Sequence, residues 1–237
     1  EPIYESQSNW EQLIKALKVL HSGTSDPEEQ LDLMTKVAQV QGEHMGDGES
    51  AFNAYAQALR AAPDSEDTLA RLEMLAISQE SFPQLVALVQ ELATQSDTPD
   101  LSRRLWIKAA EIQDTQLEDV EGAVAAYRKV LDEDPSDQEV LQALEQLFRR
   151  TERWKDLVGV LRRQVEQTFD VQEKEELLSQ MATIQDQFLE DPAGAVSVYR
   201  EVLELDPTSQ RALGSLDDLF ARQEMWTELA DNVERQL

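Results

Sequence analysis

Gly122 to Pro135 reads GAVAAYRKVLDEDP, and what stands at a fixed distance on either side of it decides the fold. Ala123, Tyr127, Val130 and Leu131 fall on one side of a helix, and Asp134-Pro135 closes it. Seventy-two residues earlier the chain reads SAFNAYAQALRAAP, Ser50 to Pro63, and seventy-two residues later GAVSVYREVLELDP, Gly194 to Pro207. Tyr55, Tyr127 and Tyr199 are in step, as are Ala51, Ala123 and Ala195, and Pro63, Pro135 and Pro207. The same step joins Trp10, Phe82, Trp154 and Trp226, then Leu13, Leu85, Leu157 and Leu229. It also joins Leu72, Leu144 and Leu216, then Ala38, Ala110 and Ala182. A period sustained over three copies is the signature of stacked helical arrays.

Each copy holds four helical segments, in the second copy about 82–94, 100–116, 120–133 and 137–151. The recurrent prolines cannot continue a helix interior, since they lack a donor and clash with the preceding turn. Ser65, then Ser136 or Asp137, then Thr208 or Ser209 offer side-chain oxygens as N-caps for the helix that follows. SDPEEQ, SDTPDL and EDPAGA supply Asp or Thr with Pro at other helix entries. No run alternates with the period of two that a half-buried strand requires. The fold class is therefore all-α. One hairpin alone has too little partner surface to bury its apolar face, so neighbours must dock on one another. The expectation is a right-handed superhelical α-solenoid of antiparallel helix pairs, with about 14 helices when partial ends are included. Recurrent alanines mark close approach between helices, and the recurrent Trp, Phe and Tyr positions are expected to fill the wider gaps.

The chain is read as one continuous solenoid over 1–237. Its parts are a partial unit at 1–8, full units at 9–80, 81–152 and 153–224, and the start of a fourth at 225–237. Ile3 aligns with Leu75 and Trp226 with Trp10, so the sequence is expected to be a window on a longer array. Apolar positions at Ile3, Tyr4, Trp226 and Leu229 leave end-to-end self-association through the cut ends open in concentrated solution, without requiring it to be biological.

Charge narrows the partners. The formal net charge is -27, spread evenly over the copies rather than gathered in a tail, so it belongs to solvated helix faces. Such a surface repels nucleic acid, whose affinity rests on cationic side chains meeting phosphates. No apolar run reaches the roughly 18 residues of a membrane helix, and no signal-peptide pattern opens the sequence, so a soluble, cytoplasmic chain is the expectation. With no cysteine there is no disulfide and no thiolate chemistry, and the redox compartment is left unread.

The pattern resembles the tetratricopeptide-repeat family, which runs W-x2-L-G-x2-Y on one helix, A-x3-F on the next, then Pro. Leu141-x2-Leu144-Glu145-x2-Phe148 stands for the first part and Leu157-x3-Leu161 for the second. Ala123-x3-Tyr127 with Pro135 gives the latter half of the preceding repeat. Each 72-residue unit therefore looks like two hairpins. The family's small glycine position holds Glu73, Glu145 and Asp217 here, and Leu85, Leu157 and Leu229 replace its alanine, which implies wider helix spacing. The aromatic opening of WKDLVGVL also resembles the half-a-TPR relatives.

The resemblance implies an interaction scaffold in which the first helix of each hairpin lines a concave face. Carried onto this sequence, the lining includes Glu43, Ala70, Met74, Ile77, Ser179, Thr183, Asp186, Asp218 and Arg222. Its central candidates for holding a protein or peptide are Arg104, Ile107, Glu111, Gln142, Gln146, Arg149 and Arg150. Arg103, Arg104, Arg149, Arg150, Arg153 and Lys155 gather positive charge around the middle unit, where arginine forks would suit a partner's carboxylates. The plainer alternative is that they pair with neighbours such as Glu145 and Glu152. The lysines and asparagines of the family's clamp for chaperone C-terminal peptides are missing, Asn being confined to Asn9, Asn53 and Asn232.

No chemistry stands out. His21 and His44 each sit near a helix C-terminus, where a cation suits the dipole. His44, Asp47 and Glu49 in HMGDGES form a conceivable metal set, but the counterparts TQLEDVEG and QFLEDPAG read as acidic helix starts. Trp106, with counterparts Met34 and Leu178, reads as larger core filling. Neither a phosphate loop nor a Ser-His-Asp set is present. No cofactor, metal or catalytic residue is assigned. The function expected is a non-enzymatic protein-protein interaction scaffold that binds a peptide segment or protein within a larger protein or assembly. The alternative is an acidic holdase for basic proteins acting through its whole surface.

Overall fold

The computed structural model describes residues 9–236, so Ile3, Tyr4 and the partial unit at 1–8 lie outside the described residues. What it describes is helical, with no strand among those residues. The helices are α1 (Trp10–Gly23), α2 (Pro27–Gln39), α3 (Gly48–Ala61), α4 (Glu66–Gln79), α5 (Phe82–Gln95), α6 (Pro99–Thr115) and α7 (Val120–Glu133). There follow α8 (Gln138–Arg150), α9 (Trp154–Gln167), α10 (Val171–Gln187), α11 (Pro192–Leu205), α12 (Gln210–Arg222) and α13 (Trp226–Glu234). A single π turn, Val40–His44, extends α2.

The chain divides into two compact units, Glu1–Val130 and Leu131–Leu237. In the first, α2 packs on α3, α3 on α4, α4 on α5 and α5 on α6. In the second, α8 packs on α9, and the stacking continues helix by helix to α13. The four helices expected over 82–151 are α5 to α8, displaced at their ends by one residue at most.

Caps fix those ends. Asp26, Asp47, Ser65, Asp137, Asp170, Asp191 and Ser209 each accept a hydrogen bond from a first-turn N–H through the side chain. Of the two oxygens offered before α8, Asp137 makes the cap; Ser136 turns instead to Asp134, 2.6 Å away. Thr98, at the entry to α6, makes no side-chain cap. The first helix of each hairpin ends in a left-handed residue. Glu80, Glu152 and Glu224 have φ of 53°, 55° and 56°, and Gly46, Glu118 and Glu190 have 67°, 51° and 52°. Both series follow the repeat step. A left-handed residue there lets the chain reverse while its N–H returns to the last carbonyls of the helix.

The core follows the period. Ala38, Ala110 and Ala182 are wholly buried, as are Ala51, Ala123 and Ala195, so helices meet closely at these alanines. Tyr55, Tyr127 and Tyr199 are buried alike, and Leu72, Leu144 and Leu216 lie at the centre of their helices' inner faces. Full burial of a leucine contributes roughly 1.5–3 kcal/mol, so each copy adds a similar increment of stability. The tryptophan series departs from the expectation of core filling. Trp10 and Trp154 are half-buried and Trp226 is 63% exposed. These rings lie over the outside of the packed layer: Trp10 stacks on His44 with centroids 4.0 Å apart, and Trp154 on Phe188 at 4.1 Å.

The acids at the family's glycine position have defined partners. Glu145 accepts from Gln164 at 3.2 Å and Asp217 accepts from Gln236 at 2.8 Å, one repeat step apart. Glu73 pairs with Lys108 at 3.2 Å. A carboxylate thus spans to the neighbouring helix where the family has a glycine.

Candidate functional site

In the first unit, α4 exposes apolar side chains on its outer face. Met74 is 70% and Ile77 is 66% exposed, and Ala70 is exposed one turn before Met74. The equivalent positions on α8 and α12 hold Gln146 and Asp218 for Met74, and Arg149 on α8 for Ile77. Ala221 on α12 stands for Ile77, so it is the large apolar side chains that are particular to α4. Grooves flank this ridge. One, about 320 Å³, lies between α4 and α6 and is lined by Leu69, Ala70, Glu73, Leu101, Arg104 and Lys108. The other, about 460 Å³, is lined by Ala38, Gly42, Glu43, Tyr55, Arg71 and Met74.

The cations of these grooves are committed within the fold. Arg104 pairs with Glu66 at 3.4 Å, and Arg71 with Asp67 at 2.8 Å. Lys108 lies 3.2 Å from Glu73 and 3.6 Å from Glu111. Burial pulls the Lys108 ammonium down, but the two carboxylates outweigh it and hold its pKa above the usual lysine value. Burial likewise raises the Tyr55 hydroxyl, tempered by Arg71, whose guanidinium lies 6.0 Å from the ring centre.

One candidate is corrected here. Ile107 is 8% exposed, so it belongs to the core and cannot line a binding face. Its helix, α6, presents Arg104, Lys108 and Glu111 outward instead, a phase error of one residue in projecting the face. Trp106 is half-buried.

In the second unit, Gln142, Gln146, Arg149 and Arg150 are all exposed on α8. Arg149 gives Nε and Nη2 to Glu145 at 3.1 and 3.0 Å, and Nη2 also to Gln180. Arg153 pairs with Asp156 at 2.8 Å and stands over the Phe148 ring at 5.1 Å. The plainer reading of the arginines thus holds for Arg104, Arg149 and Arg153. A groove of about 580 Å³ opens beside Arg149, lined also by Trp154, Ser179, Thr183, Phe188, Tyr199, Arg211 and Ser215. Arg211 and Phe188 were absent from the sequence-derived lining. Their signal was available: Arg211 stands where the other copies have Asp67 and Glu139, and Phe188 where they have His44 and Gln116.

His44, conceived as part of a metal set, stacks on Trp10, and Asp47 caps α3 by accepting from Ser50 N–H at 3.0 Å. Asp119 and Asp191 do the same at 2.9 Å in the other copies. Among the described residues no group of three or more His, Cys, Asp or Glu is disposed to hold a metal ion. No helix among them is long and apolar enough to cross a membrane.

Residues 140–175, from the first turn of α8 through α9 into α10, match the model of the tetratricopeptide repeat. One tetratricopeptide repeat is thereby identified in the chain. That match covers one hairpin, and the same register of alanines, leucines and tyrosines runs through the other copies of the repeat. No curated protein matches the sequence. Among solved structures, that of Naa15/Naa10 bound to HypK-THB aligns over 97% of this chain and 34% of that one, with 15% identity and a TM-score of 0.51. This is a likeness of fold, and this chain spans about a third of that larger one. MamA aligns over 83% of this chain and 91% of its own at 14% identity, with a TM-score of 0.38. YrrB, described as a TPR protein with an unusual peptide-binding site, aligns over 77% and 90% at 12% identity, with a TM-score of 0.38. A fold of this kind leaves function to be argued from its surface residues.

Proposed function

We propose that this chain is a non-enzymatic scaffold that receives a peptide segment of a protein partner on the outward face of its first-of-hairpin helices. The observation that carries this reading is the apolar ridge of Met74 and Ile77 on α4, flanked by two grooves. Two large apolar side chains one turn apart give a small contiguous patch of the kind a partner can cover. Methionine also adapts its shape to different partners. Of the original candidates, Arg104, Glu111, Gln142, Gln146, Arg149 and Arg150 remain as face residues that would set specificity rather than anchor the partner. The test is photo-crosslinking from residues 74 and 77 in the full-length protein in its own cells. Partners crosslinked from position 74 are expected to disappear with Ile77→Glu, and those from position 77 with Met74→Glu; unchanged crosslinks would overturn the reading.

The net charge of -27 motivates a second reading, an acidic holdase for basic proteins. The two readings part on salt. Binding through distributed charge collapses as the Debye length falls below about 8 Å, whereas contact with the apolar ridge persists.

A further inference from the structure

The groove beside Arg149 differs from its counterpart in the first unit in a way that specifies a ligand. In the first unit the recurring tyrosine position, Tyr55, is met by Arg71, and Asp67 neutralises that arginine at 2.8 Å. Two repeat steps on, the sequence changes the charge. Ser215 stands two steps after Arg71 and Arg211 two steps after Asp67. Arg211 lies in the first turn of α12, where the positive end of the helix dipole disfavours a cation, and it has no ion-pair partner among the described residues. Ser179 lines the same groove at 5% exposure, and its hydroxyl has no hydrogen-bond partner. A buried hydroxyl left unpaired is costly, and a ligand that accepts from it removes that cost. The Trp154–Phe188 stack forms an apolar wall of the groove, with Phe188 49% exposed.

We propose that the Arg211 side of the groove lined by Arg149, Trp154, Glu176, Ser179, Phe188 and Arg211 recognises an acidic side chain of a partner protein, held away from the exposed Glu176 carboxylate, with an apolar neighbour of that residue laid on the Trp154–Phe188 stack. The unpaired Arg211 guanidinium meets the carboxylate, as a fork suits two oxygens. The Ser179 hydroxyl, closed to solvent as the groove stands, becomes a further donor only once the groove side chains move to admit the ligand. Arg149, already held by Glu145 and Gln180, adds field rather than a free fork. The partner segment is thus acidic and apolar, although this chain is itself strongly acidic; the match is local. This inference rests on the scaffold reading above and deepens it.

The test uses the full chain against an array of tryptophan-free 15-residue peptides of randomised sequence, with affinities of the strongest binders taken from tryptophan fluorescence. Arg211→Glu restores the charge that Asp67 and Glu139 carry at the same position, so it leaves folding intact; circular dichroism checks this. Binders enriched in Asp or Glu beside an apolar residue are expected, weakened at least tenfold by Arg211→Glu and again by exchanging the acid for its amide. Ser179→Ala is expected to weaken the same peptides several-fold. Binders that show no acidic preference, or that ignore Arg211→Glu but vanish with Met74→Glu and Ile77→Glu, overturn the inference and leave the scaffold reading standing. An array with no binders overturns both.

Discussion

The indole of Trp154 stacks on the Phe188 ring with centroids 4.1 Å apart and planes 25° off parallel, and two repeat steps earlier Trp10 stacks on His44 at 4.0 Å and 5°. The start of one hairpin's second helix is thereby tied to the end of the next hairpin's first. Between the two, the register holds Phe82 and Gln116. At the last copy Trp226 is 63% exposed. The stack is a surface clasp that different rings can fill.

Phe188→Ala removes that clasp in the second unit. An aromatic pair contributes about 0.5–1.5 kcal/mol beyond its buried area, so unfolding in urea should shift by about 1–2 kcal/mol. Tryptophan emission should move to longer wavelength as Trp154 is uncovered. Phe188→His, the residue of the first copy, should recover most of the loss.

Left-handed helix ends predict opposite outcomes for two exchanges. Gly46→Ala places a side chain at φ 67° and should cost about 1 kcal/mol, although nothing lies within 4 Å of the added carbon. Glu118→Gly and Glu190→Gly, at φ 51° and 52°, should raise the melting temperature by a few degrees. Differential scanning calorimetry of the three variants checks both signs.

Asn232 is buried on α13 and gives its amide to the Leu213 carbonyl at 2.9 Å and to Asp217 at 2.8 Å. Asn232→Ala strips both acceptors of a donor and should cost about 1–3 kcal/mol. Hydrogen exchange should localise the loss to α12 and α13.

Acid should loosen specific turns. The Ser50 side chain and N–H hold the Asp47 carboxyl below its usual value, and Thr208 does the same for Asp206. Where the folded pKa is the lower, the unfolded chain binds protons first. Their contribution is complete above the ordinary carboxylate value of about 4 and is lost as pH falls through the depressed folded value. Asp47→Asn and Asp206→Asn keep an acceptor but no titrating group, so stability plotted against pH should flatten in that window.

Much of the fold was legible because its causes are local or periodic. Proline and capping residues end helices within a residue of their expected positions, and an alanine or tyrosine recurring at a fixed step meets the same packed surroundings each time. The surface was less legible. Ile107 looked like a face residue because a one-residue error in helical phase turns a side chain by about 100°. The tryptophans looked like core because size and recurrence do not say which side of a packed layer a ring covers. Arg211 breaks the charge pattern of Asp67 and Glu139, but a charge change in sequence acquires meaning only from its neighbours in space.

By itself the sequence determined that this chain is built of helical hairpins, where the four helices of the second copy start and stop to within a residue, and that the recurring Ala123, Leu144 and Tyr127 positions are buried. Those features depend on nearest-neighbour chemistry and on a period that every copy repeats. Only the tertiary structure decided which charges are already neutralised, that Met74 and Ile77 stand uncovered, and that Ser179 and Arg211 share a groove. Pairing and exposure depend on side chains brought together from different helices, at separations along the chain that no local pattern encodes.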